Sequence, residues 1–144
     1  MEPLMRNKRL VAAYLAYRKR GDEYEFYLQK RDRNAKSSAD KFGLFGGGVE
    51  EGESIEDGLY REVSEELKYK PVAARYFSRY EHSLVLFHIF IEEVGPDFEN
   101  AVVVSEGEYG KFFTLAEAYA EKRTTNTGRL IMEQLGSYLA KESD

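Results

Sequence analysis

The order of apolar and polar positions along the chain predicts strands and helices in alternation. Residues 9–18 (RLVAAYLAYR) are rich in Val, Leu, Tyr and Ala and predict a strand; residues 24–30 (YEFYLQK) predict a second, aromatic-rich one. Gly21-Asp22 between them is a turn signal, which makes the pair a hairpin. Residues 31–41 are polar and aperiodic, a loop carrying Arg31, Arg33, Lys36 and Lys41. Ser54 is a good helix N-cap, and Ile55, Leu59, Val63 and Leu67 then recur at every fourth position, as the buried stripe of a helix does. Pro71 bars further helical growth. Residues 72–82 and 84–94 predict two long strands, the second apolar almost throughout from Leu84 to Ile91, as a strand covered on both faces would be. Gly95-Pro96-Asp97 predicts a turn, residues 98–104 another strand, and residues 105–108 a loop. Phe112 and Phe113 lead into a short helix over residues 115–122, and the apolar positions Leu130, Ile131, Leu135, Tyr138 and Leu139 predict a final helix over residues 127–141 with one face on a sheet. No repeat or linker interrupts this order, so the expectation is a single mixed α/β domain over residues 1–144.

Composition narrows the chemistry. The chain has 144 residues, enough for one core, and its 42% hydrophobic and 33% charged content is that of a folded, soluble protein. It has no cysteine, which excludes disulfides, thiolate zinc sites and a Cys nucleophile. Two histidines, His82 and His88, are too few for a His-rich metal site, and His88, inside the apolar run, reads as a core or pocket residue. Oxygen ligands are abundant and suit Mg²⁺, Mn²⁺ or Ca²⁺. The formal charge of −5 argues against broad capture of nucleic acid, so no stable nucleic-acid complex is expected. The basic first residues lack the apolar core of a signal peptide, and no apolar run approaches the ~20 residues that span a bilayer. A cytoplasmic protein with no membrane association is the expectation.

The candidate chemistry lies in residues 45–69, FGGGVEEGESIEDGLYREVSEELKY. Gly46-Gly47-Gly48 permits positive φ and close backbone approach, and offers carbonyls to a cation or amides to a phosphate. Around the helix that follows, at about 100° per residue, Glu66 falls inside the apolar stripe, Glu62 at its edge and Glu65 farther round on the same side. A carboxylate in an apolar arc costs several kcal/mol unless a positive group compensates. Arg61 projects elsewhere and cannot neutralise three glutamates, whereas the i, i+3, i+4 spacing lets Glu62, Glu65 and Glu66 converge on a divalent ion. The plain alternative, an ordinary acidic amphipathic helix after a glycine turn, is common for Glu-rich helices.

The longer spacing decides between them. Gly47, five residues, Glu53, seven residues, then Arg61-Glu62-Val63-any-Glu65-Glu66 resembles the signature of the Nudix hydrolases (MutT-like) over residues 47–69, a match of six fixed positions with chance odds on the order of 10⁻⁶ per start point. The order of elements resembles the family's α/β/α sandwich with a mixed sheet over nearly the whole chain. Lys68 stands where the family has a glycine, normally in a left-handed cap, which predicts that the helix runs one turn further and stops before Pro71. Tyr69 replaces an aliphatic residue, and Phe45 a proline.

The resemblance implies a pyrophosphohydrolase that uses Mg²⁺, with Mn²⁺ able to substitute, and cleaves a nucleoside diphosphate linked to another moiety into a nucleoside monophosphate and phosphate-X. It implies Glu62, Glu65 and Glu66 with the Gly46 carbonyl as metal ligands, and Glu62 or Glu65 as the group that takes a proton from water. It makes Arg61 the residue that orients the glutamates, Glu53 a brace of loop and helix, and Glu106 a distant general base or extra ligand, with Glu108 nearly as well placed. Gly47, Gly48 and Arg31 are expected to meet the substrate, and Tyr14, Tyr27, Tyr80 and Phe87 are available to stack on its other half. A (d)NTP or modified nucleotide is the leading substrate, ADP-ribose or a nucleotide sugar the alternative. A non-catalytic nucleotide sensor is the rival of another class, disfavoured because a binder does not need the whole acidic set. Aromatic content of 14% leaves material for a homodimer interface, which related enzymes often have.

Overall fold

A computed structural model describes residues 8–142; the basic residues 1–7 considered above and the last two residues lie outside the described part. The strands are β1 (Arg9–Arg20), β2 (Glu23–Lys30), β3 (Phe42–Gly43), β4 (Phe45–Gly48), β5 (Arg75–His82), β6 (Val85–Glu93) and β7 (Tyr109–Phe113). The helices are α1 (Ile55–Leu67), α2 (Phe98–Ala101), α3 (Leu115–Ala120) and α4 (Asn126–Glu142). All seven strands join one mixed sheet in the order β3-β2-β1-β6-β5, with β4 added to β1 and β7 to β2.

β1 is central because its run Val11 to Tyr17 is buried on both faces. Side chains alternate across a strand. Ala13, Leu15 and Tyr17 face the α4 side and share a core with Ile131, Met132, Leu135 and Leu139; Ala12, Tyr14 and Ala16 face the α1 side and share a core with Leu59, Val63 and Leu67. Each fully buried Leu or Val stabilises by roughly 1.5–3 kcal/mol, so both helices are clamped to the same strand and the architecture is an α/β/α sandwich. One edge of β1 is shared: its first half pairs antiparallel with β4 and its second half with β2. The other edge pairs along its length with β6, in parallel from Arg9↔Val85 to Tyr17↔Glu93. No helix of the described residues is long and apolar enough to cross a membrane.

Four expectations are corrected. Residues 98–104 are not a strand. Phe98–Ala101 turns as a short helix that buries Phe98 between Tyr27 and Tyr69, and Val102 to Val104 runs on without a ladder partner. Its amides serve the end of α1 instead: Val103 donates to the Leu67 carbonyl (2.8 Å) and Ser105 to that of Glu66 (2.7 Å), two groups that the last turn of a helix leaves free. The α1 helix does not run on toward Pro71. It stops at Leu67, and Lys68 itself adopts the left-handed cap, φ 49° and ψ 42°, donating to the Ser64 carbonyl. The glycine run is a strand, β4, and residues 109–113 form β7, where only a lead into a helix was expected.

The segment after α1 is fixed by a carboxylate in the core. Glu92, 1% exposed, accepts from the Tyr14 hydroxyl (2.5 Å), the Tyr69 hydroxyl (3.2 Å) and the amides of Val72 and Ala73 (2.9 and 2.8 Å). Four donors replace the water it loses. His88 is buried in β6 with Nδ1 against the Tyr76 hydroxyl (2.9 Å), as a pocket or core histidine.

Candidate active site

The site is assembled where β4 lies beside α1. Ser54 caps the helix by accepting from the Asp57 amide (3.0 Å), and the stripe Leu59-Val63-Leu67 turns the helix so that Glu62 and Glu66 meet the glycine strand. Glu66 is 4% exposed, and its carboxylate accepts from the Gly46 amide at 2.7 Å. Burial pushes its pKa up to about 8, against the pull of the Gly46 amide and with further upward push from Glu62 and Glu106; Arg31 acts in the opposite direction. Glu62 is also pushed up, first by burial, while Arg61 pulls it down.

β4 has to be bare. Gly46 has φ 128°, and a Cβ on it would lie 2.1 Å from the Ala12 carbonyl oxygen. A Cβ on Gly47 would lie 2.4–2.6 Å from the Glu62 carboxylate. Gly48 faces the other side, the α4 side, where the Arg9 guanidinium would be 3.1 Å from its Cβ. The strand therefore separates a carboxylate on one face from a guanidinium on the other with backbone alone.

Arg61 does not project away from the cluster, as its helical position suggested. Its guanidinium grips Glu53 with two bonds (2.8 and 3.1 Å), donates to the Gly48 carbonyl (2.9 Å) and reaches Glu62 (3.0 Å) and Glu65 (3.4 Å). Glu53 also accepts from the Glu50 amide (2.9 Å), and Arg61 holds its carboxyl below the usual range. One guanidinium thus ties the acidic loop, the glycine strand and the helix together. The glutamates divide their attention accordingly. Glu62 and Glu65 turn to Arg61 and Glu66 to Gly46, and among the described residues no three acidic or imidazole side chains close on one point.

Arg31 and Glu106, far apart in sequence, line one cleft of ≈ 300 Å³ with Gln29, Asp32, Ala35, Ser105 and Gly107. Glu106 reaches it because Ser105 is bonded to the end of α1, and its charge acts on both Glu62 and Glu66. Glu108 is drawn instead to Lys30 (3.2 Å). Of the four aromatic residues considered for stacking, Tyr14 and Tyr27 are excluded. Tyr14 is buried with its hydroxyl on Glu92, and Tyr27 is buried among Phe45, Phe98 and Phe112. Phe87 and Tyr80 are partly exposed and pair across β5 and β6 with rings 6.0 Å apart. Register places Gly48, Val11, Phe87 and Tyr80 in one row on the α4 side of the sheet. Sequence reasoning missed Arg9, Gln29 and Lys30. Their only signal was polar residues at the ends of apolar strands, which are ordinarily solvated.

The family model of the NUDIX domain matches residues 7–135, and the chain belongs to the Nudix family. As a class it is a hydrolase acting on pyrophosphate-containing substrates. Among solved structures, a MutT protein from Methanosarcina mazei Go1 is 25% identical, with TM-score 0.69, covering 88% of this chain and 91% of that one. The NUDIX domain of Shewanella oneidensis NrtR, solved in complex with ADP ribose, has TM-score 0.74 at 15% identity, covering 92% and 88%. A MutT/nudix family protein from Enterococcus faecalis has TM-score 0.63 at 16% identity over 74% of this chain, which spans only 44% of that protein's length. No curated protein matches the sequence significantly.

Proposed function

We propose that the chain is a Mg²⁺-dependent pyrophosphohydrolase that cleaves a nucleoside diphosphate linked to another moiety, with a (d)NTP or modified nucleotide as substrate. The observation that carries this reading is the pair of buried Glu66 and partly buried Glu62 beside a strand that must be glycine. Their charged forms are disfavoured by burial, and Arg61 is already shared with Glu53 and Glu65. The donor set is oxygen only, which suits a hard divalent ion. Glu62, Glu65 and Glu66 with the Gly46 carbonyl would hold it. Such an ion, when bound, neutralises the diphosphate and lowers the pKa of an attacking water.

The chain's own groups divide the remaining work. Arg61 orients the glutamates through its bonds to Glu62 and Glu65, and Glu53 fixes Arg61 in turn. Glu65 is the half-exposed carboxylate of the set and, with Glu106, is open to solvent for receiving a proton. Arg31 gives the cleft a cation for phosphate oxygens. The row Gly48, Val11, Phe87 and Tyr80 offers an apolar, aromatic shelf to the base, with Phe87 two strands, about 10 Å, from the glycine strand. One feature favours a second reading, ADP-ribose or a nucleotide sugar. The cleft mixes Arg31 with Gln29, Asp32 and Ser105, donors and acceptors that suit sugar hydroxyls.

A hydrolysis panel of dNTPs, oxidised dNTPs, ADP-ribose, sugar nucleotides and dinucleoside polyphosphates, with Mg²⁺ and with Mn²⁺, tests both. Turnover of a (d)NTP to monophosphate and pyrophosphate supports the first, preference for ADP-ribose the second. Tight nucleotide binding without turnover of any compound would overturn both.

A further inference from the structure

The walls of the cleft are joined behind it by the last two residues of β2. Gln29 and Lys30 are 2% and 3% exposed, a burial that strand-end polar residues do not ordinarily have. The Lys30 ammonium holds Asp40, at the end of one wall, and Glu108 (3.2 Å), at the end of the other. The Lys30 carbonyl accepts from the Glu108 amide (2.8 Å). Gln29 donates to the Glu106 carbonyl (3.0 Å) and accepts from Arg31 (3.4 Å). Gly107, at φ 83°, packs so closely that a Cβ would lie 2.7 Å from the Lys30 carbonyl oxygen.

The wall formed by residues 31–41 needs such a hold. Ser38 and Asp40 both have positive φ, 50° and 62°, without being glycine. Conformations of that kind persist only where surrounding contacts fix them. Arg31 adds a bond from Nε to the Ser37 carbonyl (2.8 Å), so its guanidinium moves with the loop that Asp40 anchors. The paired carboxylates hold the Lys30 ammonium charged, with Asp40 contributing most, and Lys30 in turn keeps Asp40 ionised.

We propose that Lys30 is a positioning residue: by gripping Asp40 and Glu108 together it sets the distance between Arg31 and Glu106, and thereby the fit of the substrate's far end in the cleft. The proposal rests on the reading above, in which that cleft receives part of a diphosphate substrate. An ion pair kept only for stability makes a different prediction: K30M would then lower the unfolding midpoint and leave KM unchanged.

The test compares K30M, K30R, R31A and the double variant K30M/R31A in steady-state hydrolysis of the best substrate of the panel. Amide hydrogen exchange is measured on the same proteins without substrate. Asp40 and Glu108 are both partly exposed, so water can take over their charges and K30M is expected to fold. In K30M, KM should rise roughly 10-fold while kcat changes less, since a small misplacement of a binding group weakens the fit. K30R should restore most of the loss. K30M/R31A should lose less than the product of the two single losses, because K30M acts in part by misplacing the group that R31A removes. Exchange should quicken in residues 31–40 and 105–108 together. An unchanged KM in K30M, multiplying losses in the double variant, or loosening of one wall only would each overturn the proposal. If K30M does not fold, D40N replaces it: faster exchange in residues 31–40 with a raised KM supports the clip, and no change sinks it. A wild-type chain inactive on the whole panel would refute the hydrolase reading instead, and exchange in the two walls would still decide for or against the clip.

Discussion

Two adjacent glycines are needed for different reasons, and substitution separates them. At Gly46 the obstacle is backbone and a positive φ, so Gly46→Ala should destabilise the protein by about 3 kcal/mol or more and lower its urea midpoint. At Gly47 the obstacle is the far end of the Glu62 side chain, which can swing away. Gly47→Ala should therefore melt close to wild type while losing roughly 100-fold in kcat; wild-type turnover would show that the position of Glu62 does not matter. Glu66 makes a prediction in pH. Its folded pKa, about 8, lies above the ordinary 4.5, so between these values the folded state binds a proton that the unfolded state has lost. Stability from this group is complete below pH 4.5 and falls as pH rises toward 8. In chelator, wild type should weaken from pH 5.5 to pH 8 relative to Glu66→Gln, and Mg²⁺ should restore the wild-type midpoint only. Parallel pH curves for the two proteins would refute the assignment. With Mg²⁺ present, Glu66→Gln should lose orders of magnitude in turnover while remaining folded by circular dichroism.

Elements were legible to the extent that their side chains carried a period. The α1 stripe, its Ser54 cap and the anomalous place of Glu66 within it can all be read from spacing, and the structure buries that glutamate. β4 could not be read as a strand because three of its four residues have no side chain to alternate. The valines at 102–104 misled for the opposite reason: their strand propensity is real, but the hydrogen bonds available there come from the end of a helix. The cleft was beyond reach because Arg31 and Glu106 are brought together by the β2–β7 pairing and by contacts of Gln29, Lys30 and Ser105, all between residues far apart in sequence. Lys68 offers a test at this scale. A non-glycine residue in a left-handed cap costs roughly 1 kcal/mol, so Lys68→Gly should raise stability by about that amount in urea melts, and a lower midpoint would show that the Lys68 side chain earns its place by some contact.

For the molecule as a whole, covering of both faces of β6 was suggested by the apolar run Leu84 to Ile91, and its side chains do enter both cores, whereas its partnership with β1 was not, since parallel pairing joins strands that sequence keeps far apart. The arrangement ranks the strands. Amides of residues 12–16 in β1, shielded by a helix on each side, should exchange slowest, and those of β5, an edge strand with many exposed positions, fastest among the long strands; equal protection would contradict a core centred on β1. The bare strand β4 has a further consequence for how such a molecule can diversify. A surface without side chains cannot be rewritten by point mutation, so variation in what is recognised has to be written in β5, β6 and the loop after β2. Recognition and bond cleavage then become separable parts. An engineer could exchange Tyr80, Phe87 or the 31–41 loop to change the customer while leaving the machinery that Gly46 and Gly47 shape untouched.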